Sequence, residues 1–110
     1  MQVRITTTVA KVLRIFLEDV DERRYGFELM RQAGLASGTL YPILARLENA
    51  GWIVGRLETI DPSKEGRPPR RFYTMTGEGA RSAHHELARL SAELRPPGLP
   101  GRLRPGENPA

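Results

Sequence analysis

A group of residues on one predicted helix has the types and spacing needed to contact nucleic acid. The segment Gly38–Ala50 has an apolar face, and its opposite face carries small, hydroxyl and basic residues. Hydroxyl groups at a helix start bond phosphates or base edges, and the positive helix N-terminus favours anions. An arginine further along reaches a guanine or a phosphate. The pattern predicts DNA contacts for Ser37, Thr39, Tyr41, Pro42 and Arg46, the alternative being that Ser37 only caps the helix and Arg46 is solvated.

A second group of basic residues lies between two predicted strands. It comprises Lys64, Arg67, Arg70 and Arg71, and a single acid, Glu65, lies among them. A basic hairpin tip beside a recognition helix attracts the phosphate backbone or the minor groove of DNA. A solvated loop is the alternative, and the position next to the helix favours DNA contact.

Composition and motifs argue against most other chemistry. The chain has 17 Lys and Arg against 13 Asp and Glu, and its isoelectric point near 10.1 favours an anionic partner. It has no cysteine, and the adjacent His84 and His85 do not share a helix face, so we expect neither a disulfide nor a metal site. No phosphate-binding glycine loop, catalytic carboxylate pair or Ser/His/Asp set is present. The sequence predicts a protein that is not an enzyme and needs no cofactor.

The size and the apolar segments predict a single cytoplasmic domain. A chain of 110 residues holds one domain at most. The apolar run Val9–Leu17 is interrupted by Lys11 and Arg14 and precedes no cleavage site, so we do not expect a signal peptide. No stretch approaches the length of a membrane span.

Periodicity places the polar helix in a helix-turn-helix. A first helix is predicted over Thr6–Val20, because apolar residues recur there at helical spacing. A second runs from about Tyr25 to Ala33, with Phe27, Met30 and Ala33 as its inner face, and Gly34 ends it. A short turn that offers Ser37 as a cap then leads into Gly38–Ala50, where Leu40, Ile43, Leu44 and Leu47 are the packing residues. Pro42 inside that helix predicts a slight kink or a frayed first turn.

The segment that follows predicts a wing. Residues 52–60 and Arg70–Thr76 are rich in strand formers. Three prolines and a glycine occupy residues 61–69, which are predicted to form no regular structure. The fold class is therefore α+β and mostly helical, with a winged helix-turn-helix domain over residues 1–76.

A final helix is predicted over Gly77–Leu94. Its apolar residues follow a 3-4-3-4 spacing, which is typical of a seam between two helices and predicts a dimerisation helix over residues 77–94. The residues of this seam are Ala80, Ala83, Leu87, Leu90 and Leu94. Residues 95–110 are rich in Arg, Pro and Gly and are predicted to be a disordered basic tail.

These segments resemble the PadR family of transcriptional regulators. The resemblance covers about residues 9 to 90 and rests on three stretches, residues 25–29, 40–53 and 66–79, with Leu40-Tyr41-Pro42 the most distinctive. It implies a homodimer that represses promoters, often its own, and that leaves DNA when it binds a small-molecule effector. It also implies a dimer interface between the last helix and the partner's first helix, which adds Val9 and Leu13 to the seam residues.

The chain differs from part of that family in two respects. It lacks the long multi-helix C-terminal region of the larger members, so it resembles the small subgroup. Its last helix has no aromatic residue, so the stacking of flat drugs seen in some small members is not expected here. A protein–protein interaction module without specific DNA binding is the alternative function.

Overall fold

The computed structural model of the protein describes residues 3–95, and these residues form five helices and three strands. In chain order the elements are α1 (Thr7–Glu18), β1 (Arg24–Tyr25), α2 (Gly26–Ala33), α3 (Ser37–Asn49), β2 (Ile53–Leu57), α4 (Pro62–Glu65), β3 (Arg71–Met75) and α5 (Gly77–Glu93). This arrangement confirms the mostly helical α+β class. The predicted basic tail lies outside the described residues, apart from Arg95.

Helix α1 is fixed at both of its ends. The hydroxyl of Thr6 accepts a hydrogen bond from the Val9 amide (3.2 Å), which satisfies one of the free N–H groups of the first turn. At the other end, the buried side chain of Arg24 donates to the Ile15 carbonyl (2.8 Å). A cation at a helix C-terminus also interacts favourably with the helix dipole. Arg24 therefore connects β1 to the end of α1.

Helices α2 and α3 form the predicted helix-turn-helix. Gly34 ends α2 in the left-handed conformation (φ 68°), which a residue with a side chain adopts at a cost. The packing residues predicted for α3 are confirmed, since all four are at least 97% buried. On α2, however, the prediction for Phe27 is wrong: Leu29 and Ala33 face the core, and Phe27 is 49% exposed.

The three strands form an antiparallel sheet in the order β1-β3-β2. Strands β2 and β3 pair from Ile53 opposite Met75 to Leu57 opposite Arg71 and form the wing, which we define as residues 53–75. The loop between them contains α4, so the prediction that residues 61–69 form no regular structure is wrong. Asp61 caps α4 by accepting from the Ser63 amide (3.0 Å), and proline is favoured in the first helical turn that follows.

Helix α5 begins at a close contact with the start of β2. The Thr76 hydroxyl donates to the Gly51 carbonyl (2.8 Å) and accepts from the Gly79 amide (2.9 Å), while the Thr76 amide donates to the Trp52 carbonyl (2.9 Å). Gly79 lies so near Trp52 that a Cβ atom on it would overlap the Trp52 backbone. These contacts fix α5 to the end of the helix-turn-helix.

Candidate nucleic-acid interface

The solvent side of α3 carries all five residues that the sequence predicts to read DNA. Ser37, Thr39, Tyr41, Pro42 and Arg46 are exposed, and together they are called the reading face. The apolar residues of α3 are buried on its other side, so the helix has one face that packs against the core and one that is exposed to solvent. This is the division that a helix in the major groove needs.

The N-terminus of α3 differs in one detail from the sequence prediction. Ala36 is the N-cap residue and has no side-chain capping bond, while Ser37 is the first residue of the helix and not its cap. The amides of Ser37 and Gly38 precede the first intrahelical hydrogen bonds. Because both residues are exposed, these N–H groups point to a surface where an anion would be stabilised.

Tyr41 is held against the start of α2. Its side chain is 46% exposed, and its hydroxyl lies beside Gly26, where a Cβ atom would overlap the phenol ring, with Tyr41 Cζ at 3.0 Å. Glycine at position 26 thus leaves the space that the phenol occupies. The two helices of the helix-turn-helix together set the direction of this side chain.

Pro42 is the sixth residue of α3 and is exposed. Proline has no N–H, so the Gly38 carbonyl loses the donor that an α-helix supplies four residues later. Gly38 is exposed, and apart from the neighbouring backbone of α3 no atom lies within 4 Å of the position a Cβ would take there, so the surface around this residue is open. The exposure of this first turn lowers the cost of the proline, whose ring adds apolar surface to the reading face.

In the wing, Arg67 is bound by an acid that the sequence did not single out. The Glu58 carboxylate accepts from the Arg67 guanidinium (2.7 and 3.3 Å), the Arg70 amide (2.9 Å) and the Tyr25 hydroxyl (3.0 Å). We call Glu58, Arg67, Tyr25 and the Arg70 amide the Glu58 cluster. These donors, with Arg67 first, lower the pKa of Glu58 to about 2. The cluster joins both arms of the wing loop to β1.

The other predicted wing cations fall into two kinds. Arg71 pairs with Glu48 of α3 (3.1 Å) and lies over the Tyr73 ring (5.7 Å), so it connects the wing to the recognition helix. Arg70 and Lys64 are exposed. Within residues 3–95, neither of them forms an ion pair, and the same is true of Arg46.

The sequence comparison identifies the family to which this arrangement belongs. The model of the transcriptional regulator PadR-like family matches residues 15–85, which include both helices of the helix-turn-helix and the whole wing. This chain belongs to the PadR-like family of transcriptional regulators. The comparison with curated proteins gives no significant match.

Solved structures share the fold of this PadR-like regulator. A PadR-like transcription factor from Bacteroides fragilis is 26% identical, with a TM-score of 0.58 over 77% of this chain and 84% of that one. The circadian clock associated protein Pex from Anabaena is 30% identical, with a TM-score of 0.56 over 78% of this chain and 76% of that one. Overoxidized AbfR, solved bound to DNA, is 26% identical, with a TM-score of 0.63 over 82% of this chain and 60% of that one.

The residues predicted for a dimer interface in this PadR-like regulator fall into two groups. Val9, Leu13 and Ala83 are at least 98% buried in the core of the protomer. Ala80, Leu87 and Leu90 are half-buried, and Leu94 is 70% exposed. Leu87, Leu90 and Leu94 line a cleft of about 440 Å³ together with residues of α1, among them Ala10. The apolar surface available to a partner is therefore at the C-terminal half of α5.

Sequence reasoning missed the residues that organise the wing. Phe27 lies under the Arg70 guanidinium (5.4 Å), and Tyr25 lies beside both Phe27 and Phe72, with ring centroids 6.0 and 6.1 Å apart. The sequence does contain one signal for the pairing of Glu58, namely that this acid lies near the end of a predicted strand and the next predicted strand is preceded by basic residues. That signal becomes specific only when the register, which places Leu57 opposite Arg71, is known.

Two further features concern metals and membranes. Within residues 3–95, no three His, Asp or Glu residues come together in a way that could hold a metal ion. The same residues include no helix with the length and apolar character needed to cross a bilayer.

Proposed function

We propose that this PadR-like regulator binds double-stranded DNA sequence-specifically, with α3 in the major groove and the wing on the phosphate backbone. The observation that carries the proposal is the reading face, whose five residues are exposed along α3 from its uncapped N-terminus to Arg46 in its last turn. Ser37, Thr39 and Tyr41 would contact phosphates or base edges, and Arg46 a guanine or a phosphate. The likeness to AbfR, which was solved bound to DNA, supports DNA binding by this fold.

We also propose that the protein is a homodimer whose two protomers contact each other through α1 and α5. Leu94 and the α1–α5 cleft supply apolar surface that a second copy would cover. A two-fold dimer presents two copies of α3, so its operator is an inverted repeat with half-sites about one helical turn, roughly 34–36 Å, apart. A dimer bound at a promoter excludes polymerase, and the proposed role is repression, including that of its own gene.

Release by a small-molecule effector is the last part of the proposal. A partner helix over the α1–α5 cleft would enclose the space between Ala10 and Leu90, so a ligand there would contact both protomers. Binding at that place changes the angle between them and hence the distance between the two α3 helices. An effector would raise the melting temperature of the free protein and lower its affinity for the operator.

DNA binding is tested by fluorescence anisotropy with the region upstream of the protein's own gene and with a scrambled duplex, at several salt concentrations. We expect a dissociation constant of about 10⁻⁸ M or tighter, at least ~10³-fold below that for scrambled DNA. Equal affinities with the same steep salt dependence would contradict operator recognition and would favour the interaction module instead.

The dimer is tested by light scattering on two matched variants. Leu90→Asp places a charge in the cleft, whereas Ala92→Asp places one two residues further on, an exposed position on the opposite side of α5. We expect Leu90→Asp to be monomeric and Ala92→Asp to remain dimeric. Two dimeric variants, or a wild-type monomer, would contradict the proposed interface.

A further inference from the structure

The Glu58 cluster sets Arg67 apart from the other predicted cations of the wing. The Glu58 side chain is only 10% exposed and receives four hydrogen bonds, two of them from the Arg67 guanidinium. A two-pronged arginine–carboxylate contact of this kind is stronger than a neutral hydrogen bond and is specific in its geometry. Arg67 is therefore committed to a partner within the chain before any DNA is present.

Transfer of Arg67 from Glu58 to a phosphate would not be favourable. The exchange replaces one charge-assisted contact by another of the same type, so the gain is small. It leaves the Glu58 carboxylate largely buried without its cation and facing a polyanion. An unpaired buried charge costs more than an unpaired exposed one. The exchange also frees the wing loop, because Arg67 is one of the residues that hold it.

Arg70 has the opposite arrangement. Its backbone amide donates to Glu58, so the position of the residue is fixed, while its guanidinium lies over the exposed ring of Phe27 at 5.4 Å. A cation above an aromatic face keeps the N–H groups at its edge available to an acceptor. Within residues 3–95 no carboxylate pairs with this guanidinium. Arg70 is thus positioned in advance and has free donors.

We propose that Glu58 is a positioning residue for DNA binding, which withholds Arg67 from the phosphates and fixes the wing so that Arg70 contacts them. The proposal rests on the proposed DNA-binding function and refines it. Arg67 belongs to the internal structure of the wing, and Arg70, with the exposed Lys64, supplies the wing's phosphate contacts.

The first test exchanges the ion pair for a neutral pair. The double variant Glu58→Gln with Arg67→Gln keeps the net charge of the protein and a hydrogen-bonding pair, whereas Arg70→Gln removes the proposed contact. Each phosphate contact contributes about 0.9 to the slope of log K against log [salt]. We expect the double variant to keep the wild-type slope and an affinity within about threefold, and Arg70→Gln to lose about 0.9 of slope. A double variant that loses this slope, with Arg70→Gln unchanged, would overturn the proposal.

The second test is an NMR measurement on the wild-type protein bound to DNA, and variants are used only to assign signals. In isotope-labelled full-length protein, the side-chain Nε–H signals of the arginines are assigned with the single variants Arg67→Gln and Arg70→Gln. On addition of DNA, we expect the Arg70 signal to shift and that of Arg67 to stay in place. A shift of the Arg67 signal as large as that of Arg70 would overturn the assignment.

The two tests also separate this proposal from the function on which it rests. Phosphate contacts are made on any duplex, so both measurements are carried out on scrambled as well as on upstream DNA. A wild-type protein that does not prefer upstream DNA contradicts operator recognition. The slopes and arginine signals on scrambled DNA still decide between Arg67 and Arg70.

Discussion

Replacing Gly79 by alanine is expected to destabilise the protein, although alanine favours helices. An added Cβ would lie 2.7 Å from both Cα and the carbonyl carbon of Trp52 and would overlap the carbonyl oxygen. Carbon atoms in contact are normally separated by about 3.5–4.0 Å, and all three of these atoms are backbone, so relief requires α5 to move away from β2. The hydrogen bond from the Thr76 hydroxyl to the Gly51 carbonyl lies at the same junction and would lengthen.

The magnitude follows from these contacts. Overpacking of this kind costs about 1–3 kcal/mol. A lost hydrogen bond adds about 0.5–1.5 kcal/mol. Against this loss, alanine stabilises a helix by about 1 kcal/mol relative to glycine. The net loss is therefore about 0.5–3.5 kcal/mol, and for a domain of about this size each kcal/mol lowers the melting temperature by roughly 4–8 °C.

The assay is thermal and urea unfolding followed by the fluorescence of Trp52, with Gly77→Ala as the matched control. A Cβ at Gly77 would meet only the end of the flexible Arg81 side chain at 3.4 Å, so this variant should be as stable as the wild type or slightly more stable. If Gly79→Ala unfolded at the same temperature and urea concentration as Gly77→Ala, the reasoning about the α5 junction would be refuted.

Three further predictions concern the reading face and the wing. Pro42→Ala restores an N–H donor to the Gly38 carbonyl and should raise the free energy of unfolding by up to about 3 kcal/mol, while it should weaken operator binding. An unchanged melting temperature would contradict the stability prediction. Gly26→Ala should displace the flexible end of Tyr41 and lower operator affinity about fivefold, or about 1 kcal/mol, and equal affinity in an anisotropy titration would refute it. The stabilising effect of the Glu58 cluster should be complete above pH 4.5 and lost as the pH falls towards 2, because folding lowers the pKa of Glu58 to about 2. In an NMR titration of the Arg70 amide, Arg67→Gln should move the midpoint up towards 4.5, and an identical midpoint would count against the cluster.

The helices could be predicted because their burial is periodic. In α3, Leu40, Ile43, Leu44 and Leu47 recur at helical spacing, and all four are buried. The prediction for α2 was less accurate, because an eight-residue helix gives too few turns to fix its inner face. The apolar character of Phe27 predicts a core position, whereas its place at the start of α2 brings its ring under Arg70 of the wing.

Two small elements lacked a usable periodic signal. Strand β1 has two residues, and it exists because Tyr25 pairs with Phe72, which is distant in sequence. The four-residue α4 does carry local signals, namely the cap Asp61, Pro62 in the first turn and Gly66 in the left-handed conformation at its end. Pro62 and Gly66 mark the two ends of this helical turn, although proline and glycine more often interrupt regular structure.

Within the site, the sequence identified which residues are exposed on α3 but not which wing cations are free. Exposure follows from the helix period alone, so the reading face could be predicted from one segment. The pairing of Arg67 with Glu58 depends on the loop that brings residues nine apart together, and that of Arg71 with Glu48 on how the wing packs beside α3. Contacts of this kind require the tertiary structure.

The junction at Thr76 connects the proposed dimer helix to the reading face. Helix α3 ends at Asn49, and the carbonyls of Gly51 and Trp52, which follow directly, accept hydrogen bonds from Thr76, the N-cap of α5. With the close contact at Gly79, this leaves little freedom between the two helices. In a two-fold dimer held through α5, the separation of the two α3 helices is then determined by the angle at which the α5 helices cross. An effector that changes this angle would alter operator binding without touching the reading face, because a junction with little freedom would pass a rotation of α5 on to α3.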